Sequence, residues 1–349
     1  MHFSAAAISA ILAFSVMAHP GHDIKQEIAE RASFISQLKT RDLSHCSAEL
    51  KARGLEQAAV ARRSAIAQNE RKKRGISSGK PYLKARDEAT VLNTTHLSTE
   101  DYDASTDESI VFAGNNSCIL SPEVTQGPYY VSGEYVRSDI VEDQQGIDLI
   151  LDTQVIDMST CDPVTNAVVE IWHCNSTGVY SGIVASTNGN SADTANINST
   201  FLRGLQATDA EGVAQFKTLF PGHYTSRSNH IHVLVHFNGT TYANGTYGGG
   251  VVSHVGQMFF DQDLITQAEA ISPYNTNRQP VTLNSADGVL ADEAASSDPM
   301  IEYSLLGETV ADGIFGWLAF GVDVSKSYNV KPAASLYSSG GVENQEGGH

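Results

Sequence analysis

The sequence predicts a mainly β protein, a two-sheet β-sandwich core preceded by an N-terminal helical extension. Two patterns in the 349 residues carry that prediction. From position 118 onward, short runs rich in Val, Ile, Leu and Phe are separated by Gly, Pro, Asn and Asp, the rhythm of strands and turns in a sandwich. Ahead of them, residues 24–73 are rich in Ala, Leu, Glu, Lys, Arg and Gln, and apolar positions recur every three or four residues. A hydrophobic content of 41%, with 12 Phe and 13 Tyr, is enough for a substantial core in one large domain or two.

In chain order, residues 1–18 contain one apolar run that ends in Val16-Met17-Ala18, the pattern of a secretory signal peptide. A membrane-spanning helix needs about 20 apolar residues. No later stretch supplies them, so the mature protein is expected to be soluble and exported. Residues 19–74 form the helical region, with Gly54 dividing it into two helices. Arg71-Lys72-Lys73-Arg74 closes it. Cations are favoured at a helix C-terminus, but the same cluster reads as a processing site that would make 19–74 a propeptide. Both readings stay open. Residues 75–117 are polar and broken by Gly, Asn, Ser and Asp, as in a linker.

The sandwich is expected over 118–325, with strands at 147–157, 166–173, 213–219, 230–237, 256–260, 301–306 and 314–324. DLITQAEAI, at 263–271, is the one helical signal in this part, and 183–200 and 238–250 read as surface loops. Residues 326–349 are expected to be a disordered tail.

The formal charge of −18 leaves no basic surface to neutralise phosphates, so nucleic acid is excluded as a partner, and an acidic surface has no attraction for anionic membranes. Export is also favoured by six Asn-x-Ser/Thr sequons, at Asn93, Asn115, Asn175, Asn198, Asn238 and Asn244. The four cysteines, Cys46, Cys118, Cys161 and Cys174, could form two disulfides in three connectivities or remain buried thiols. Oligomeric state is open, with a homodimer among the options.

The chemistry concentrates in IWHCNSTGVYSG (171–182) and FPGHYTSRSNHIHVLVH (220–236). NHIHVLVH reads as a strand, and side chains alternate faces at period two. His230 and His232 therefore share a face, as two solvated imidazoles or as a pair of metal ligands. Tyr224 stands six residues before His230, just past the turn signal Pro221-Gly222, and Tyr180 lies in the other segment. Phenolate oxygen suits a hard, highly charged cation, and imidazole suits iron, copper, nickel or zinc. Two tyrosines with two histidines point to non-haem Fe(III). A zinc hydrolase built on His230, His232 and either His236 or His254 is the rival metal assignment, and it leaves both tyrosines unexplained.

These segments resemble the intradiol ring-cleaving dioxygenases, with features of a secreted fungal branch. SPEVTQGPYYV (121–131), DPVTNAVVEIWHCNSTGVYSG (162–182), FLRGLQATDAEGVAQFKTLFPGHY (201–224), SRSNHIHVLVH (226–236) and VGQMFFD (255–261) fall in family order. The likeness spans about 118–325. It departs at Ser228-Asn229, where the family usually has Pro-Ala.

The resemblance implies an enzyme that opens a catechol-type aromatic with O2 to a muconic acid derivative. Tyr180, Tyr224, His230 and His232 would hold the iron. Tyr224 would also act as a base, Arg227 would stabilise charge developing on the ring, and Gln257 would be a second polar partner. Tyr129 and Tyr130 would line the substrate pocket. A non-catalytic secreted β-sandwich binding module is the alternative outside enzymology. The particular catechol is not legible in the sequence.

Overall fold

The helical extension, the two sheets and the loop segments that carry the tyrosines stack in layers in the computed structural model, which describes residues 43–77, 82, 111–112, 117–118, 129–294 and 298–344. The expected signal peptide, most of the linker, Asn93, Asn115 and the SPEVTQGP part of the first motif lie outside these residues.

The elements run α1 (Ser47–Ala52), α2 (Leu55–Lys73), β1 (Ser117–Cys118), β2 (Val131–Ser132), β3 (Asp148–Asp157) and β4 (Val168–Trp172), then β5 (Arg203–Ala207) and β6 (Val213–Leu219). Next come β7 (His230–Phe237), β8 (Thr240–Thr241), β9 (Tyr247–Gly248), β10 (Val251–Phe259), α3 (Gln262–Glu269) and α4 (Gly288–Ala294). The chain finishes with β11 (Glu302–Leu305), β12 (Ile314–Val322), β13 (Ala334–Tyr337) and β14 (Gly340–Glu343).

One main sheet has the order β1-β12-β3-β6, with β11 also pairing β12, and the other has the order β10-β7-β4-β5. Their facing sides form the main core. Leu149, Leu151 and Val155 of β3 and Leu318 and Phe320 of β12 meet Val169 and Ile171 of β4 and Ile231, Val233 and Val235 of β7. Because period two sends the odd positions of β7 into this core, His230, His232, Leu234 and His236 face the opposite side. Leu234 joins a second apolar cluster there with Tyr129, Trp172, Tyr180 and Tyr224. The candidate site therefore sits outside the sandwich core, on the far face of the four-stranded sheet.

The outer face of the five-stranded sheet is covered by α2, whose Ala67 packs with Ile150, Phe315 and Trp317. Charge also docks the helix. Asp152 on β3 accepts two 3.0 Å bonds from Arg62, and Arg63 lies 3.7 Å from the same carboxylate. Arg71 donates to the Leu306 carbonyl at 2.8 Å, and Arg74 reaches Asp148 at 2.7 Å. A Cys46–Cys161 disulfide ties the segment before α1 to the loop after β3.

Three expectations differ from the structure. The tail read as disordered instead forms the β13–β14 hairpin, and β13 pairs in parallel with β2. Its few apolar residues gain from docking what their own composition does not supply. Cys174 is a buried free thiol, so the two-disulfide scheme does not hold. Strand β5 falls in a run of Arg, Gly and Gln that no apolar alternation marks, and its pairing with β4 creates it.

Candidate metal centre

Four side chains from three places in the chain meet at one point. Tyr180 is 1% exposed, Tyr224 5%, His230 2% and His232 1%. The Nε2 atom of His230 lies 3.1 Å from His232 Nε2, 3.4 Å from Tyr180 Oη and 3.5 Å from Tyr224 Oη.

Each side chain has a local cause for its position. His230 and His232 come from one face of β7. In the cross-strand register His232 lies opposite Trp172 of β4 and Gln257 of β10, and His230 lies opposite Phe259. The Trp172 indole stacks on the His232 ring at 4.7 Å, with planes 2° apart. His230 Nδ1 sits 2.6 Å from the Ser228 carbonyl, which can only accept, so Nδ1 carries the proton and the Nε2 lone pair faces the cluster. Burial, with the nearby Arg227 charge, pushes His230 down to about 3, so the ring is neutral near pH 7.

Tyr180 is fixed through its backbone. Asn188 Oδ1 accepts from Tyr180 N at 2.8 Å, and Asn188 Nδ2 and Asn196 Nδ2 both donate to its carbonyl at 2.8 Å. Both asparagines are buried within 183–200, a stretch expected to be a surface loop. The Tyr180 and Tyr224 loops also press together. A Cβ at Gly178, where φ is +80°, would meet the His223 carbonyl at 2.3 Å, and one at Gly222 would meet the Asn175 carbonyl at 2.4 Å. A turn closed by Arg227 N donating to the Tyr224 carbonyl at 3.2 Å then brings Arg227 beside Tyr224.

Arg227 is fully buried, with its Nε 3.0 Å from Asp287 Oδ2 and its Nη2 donating to Gln257 Oε1. Burial by itself would raise the Asp287 carboxyl. The Arg227 charge, His230 and backbone N–H donors outweigh it and hold the group below the ordinary carboxylate range.

Tyr129 and Tyr130, expected together as pocket wall, part company. Tyr129 stacks on Tyr180 at 4.5 Å, meets Tyr224 edge-on at 5.8 Å and donates its hydroxyl to Thr187 at 2.8 Å. Tyr130 instead packs on Trp172 and hydrogen-bonds Glu170 through its hydroxyl. It serves a buried polar group in which His236 Nε2 lies 2.6 Å from Glu170.

The zinc alternative does not assemble. His236 is taken by Glu170. The register slips between Val252 and His254, which sends His254 to the opposite side of the sheet against Phe320. Among the described residues, the one trio of His, Cys or carboxylate groups close enough to share an ion is His45, Cys46 and Cys161, and the two cysteines are already bonded to each other.

Two imidazole nitrogens and two phenol oxygens converge on one buried point, a donor set that can surround a cation. Buried oxygen and nitrogen donors of this kind suit ferric iron. Burial holds the Tyr180 phenol well above 10, so this ligand set needs a strongly charged ion to displace its proton. The residues present therefore fit the expected metal.

Sequence reading did not foresee Asp287, Asn188, Asn196 or Arg203. Arg203 donates to the Ser181 carbonyl at 2.7 Å and lies 6.0 Å from the Tyr180 ring centroid. All four are isolated polar residues with no periodicity to flag them, and only tertiary approach reveals them.

Known proteins resemble this chain over much of the same region. A family model described as Dioxygenase matches residues 124–283. An intradiol ring-cleavage dioxygenase from Tetranychus urticae is 32% identical, the match covering 61% of this chain and 99% of that one, with a TM-score of 0.49. Catechol 1,2-dioxygenase 1 of Acinetobacter lwoffii is 36% identical over 110 residues, 30% of this chain and 32% of its own. The catechol 1,2-dioxygenase of Acinetobacter baylyi is 33% identical over the same length. The chain thus matches about a third of the length of these two bacterial relatives. A sequence identity of 32% over a match that covers 99% of the Tetranychus protein defines the class: this chain belongs to the intradiol ring-cleavage dioxygenase family.

Proposed function

We propose that this protein is a secreted non-haem Fe(III) dioxygenase that opens a catechol-type aromatic with O2, between the two hydroxyl-bearing carbons, to a muconic acid derivative. The observation that carries the reading is the meeting of Tyr180 Oη, Tyr224 Oη and His232 Nε2 within 3.5 Å of His230 Nε2.

Ferric iron held by Tyr180, Tyr224, His230 and His232 would supply Lewis-acid chemistry toward a catechol. The protein's own groups do the rest. Tyr224 is the more exposed of the two phenols, and once held as a tyrosinate by the ion its Oη would take up a proton of the incoming catechol and return to the phenol. Arg227 presents a fixed positive charge in a dry site, where it stabilises negative charge building on the ring. Gln257 holds its Nη2 edge. Tyr129 walls the site beside both tyrosines, and with Trp172 it keeps water from the reacting centre.

Export is supported by the apolar N-terminal run and by the Cys46–Cys161 bridge, since such bonds persist in oxidising compartments. Three of the sequons, at Asn198, Asn238 and Asn244, are exposed and open to glycosylation. Asn175 differs in that its Nδ2, the atom a glycan would occupy, donates to Gln144 Oε1 at 2.9 Å, which leaves that sequon unfavourable.

The test is direct. The purified protein should carry about one iron, show a visible tyrosinate-to-metal absorption band and consume O2 when given catechol without added Fe(II). A colourless, iron-free preparation from iron-replete medium, inert toward substituted catechols, overturns the reading.

A further inference from the structure

The helix that begins at Gly288 starts next to the guanidinium that the ring-cleavage reading uses. Asp287 stands at that junction and divides its carboxylate between the two. Oδ1 accepts from Val289 N at 2.9 Å and Leu290 N at 3.0 Å, the free amides of the first turn of α4. Oδ2 accepts from Arg227 Nε at 3.0 Å and Ser228 N at 2.7 Å. All four donors converge on one fully buried carboxylate.

Two features make this more than a structural cap. The first is electrostatic. A guanidinium with no solvent exposure needs a buried counter-charge, and Asp287 is the carboxylate in contact with Arg227. With Nε held by Asp287 and Nη2 held by Gln257, the guanidinium plane is pinned at two edges. The second lies in the backbone. The 2.7 Å bond needs an N–H at position 228. Serine has one, where a proline would have none. Asn284 reinforces the arrangement by accepting from Ser228 Oγ while donating to the Phe260 carbonyl at 2.9 Å. The segment 284–290 thus grips the peptide between Arg227 and the first histidine.

We propose that Asp287 is a positioning residue for Arg227, fixing the plane of its guanidinium so that its positive charge stands where charge develops on the substrate. The proposal rests on the ring-cleavage reading of the site.

Asp287→Asn and Asp287→Ser test it. Asparagine keeps the size but turns an N–H₂ toward one pair of donors, and serine keeps a helix-capping oxygen while removing the charge. In both variants kcat/KM should fall about 100-fold, mostly through kcat. Iron content and the visible band should stay at wild-type values. Hydrogen exchange at Arg227 Nε–H, followed by NMR on the full chain, should quicken in each variant.

In an Arg227→Lys background the same substitutions should change kcat by less than about threefold, because they act through the missing guanidinium. Unchanged kcat, a full additive loss on Arg227→Lys, or failure of both variants to fold would each assign Asp287 to the scaffold and overturn the proposal. A wild-type protein that binds iron but cleaves no catechol would sink the activity reading instead. The Nε–H exchange measurement would still report on the Asp287–Arg227 coupling.

Discussion

The indole of Trp172 lies flat on the imidazole of His232, with ring centroids 4.7 Å apart and planes 2° from parallel. The two residues are cross-strand partners on β4 and β7, so sheet register alone places the indole against the ligand ring. Trp172→Phe should keep an aromatic face there. Trp172→Ala should cost about 3–5 kcal/mol, the range for emptying a buried large aromatic site. Denaturant unfolding reads the difference, and an alanine variant with the wild-type midpoint would show that the stack contributes no packing energy.

On the proposed ferric reading, Tyr180→Phe and Tyr224→Phe should each bleach or shift the visible band, since each would remove one phenolate oxygen from the ion. Burial holds the Tyr180 proton in place without metal, so iron loading must release it. Iron affinity should therefore rise with pH, and calorimetric titration in buffers of different ionisation enthalpy should detect the released protons. A pH-independent affinity, or a band untouched in both variants, would remove the tyrosines from the ligand set.

Asp152 answers for the docking of the helical extension, because it faces Arg62, Arg63 and Gln215 in a buried setting. Asp152→Ala removes the buried carboxylate that two guanidinium groups share, although Arg62 keeps Glu211, and should cost about 3 kcal/mol. Thermal unfolding is the measurement. Ring-cleaving activity below the new Tm should be unchanged, since the helix lies against the other sheet from the metal ligands.

Glu134 gives a pH dependence with a definite sign. Its carboxylate is buried, with Arg203 Nε 3.8 Å away and no hydrogen-bond partner on either oxygen, and burial pushes it up to about 8. An unfolded glutamate titrates near 4.3. Between these values the native state binds more protons than the unfolded chain, so stability falls as pH rises from about 4.3 toward 8. The group contributes its full destabilisation above that range, on the order of a few kcal/mol. Glu134→Gln should flatten the profile of Tm against pH in that window. Equal slopes for the two proteins would show that the carboxylate ionises freely.

Much of the site is legible in the sequence because its chemistry rides on regular structure. HIHVLVH alternates so strictly that the shared face of His230 and His232 follows from period two, and β7 starts and stops where that pattern does. The two tyrosines and Arg227 stand beside turn signals in segments of family order.

What escaped reading has a physical reason. Asp287, Asn188 and Asn196 act through backbone amides and carbonyls brought close only by folding, and a lone polar residue in a loop carries no trace of that. His254 reads as one more imidazole of the same strand region, but a one-residue slip in β10 moves it to the other side of the sheet. The β13–β14 hairpin has few apolar residues of its own, and its order comes from a partner, β2, about 200 positions earlier.

That long-range pairing sets a timetable for biosynthesis. Ala333 N donates to the Tyr130 carbonyl at 2.9 Å, and Ala334 pairs with Val131, so the aromatic segment beside the metal ligands gains its outer strand only when residues past 330 have left the ribosome. The nascent chain must carry a finished sandwich with an unshielded edge through that interval, and such edges are prone to wrong pairing. Closure of the centre therefore waits on the last hairpin, and a chain truncated after residue 325 should leave Tyr129 and Tyr130 more open to solvent.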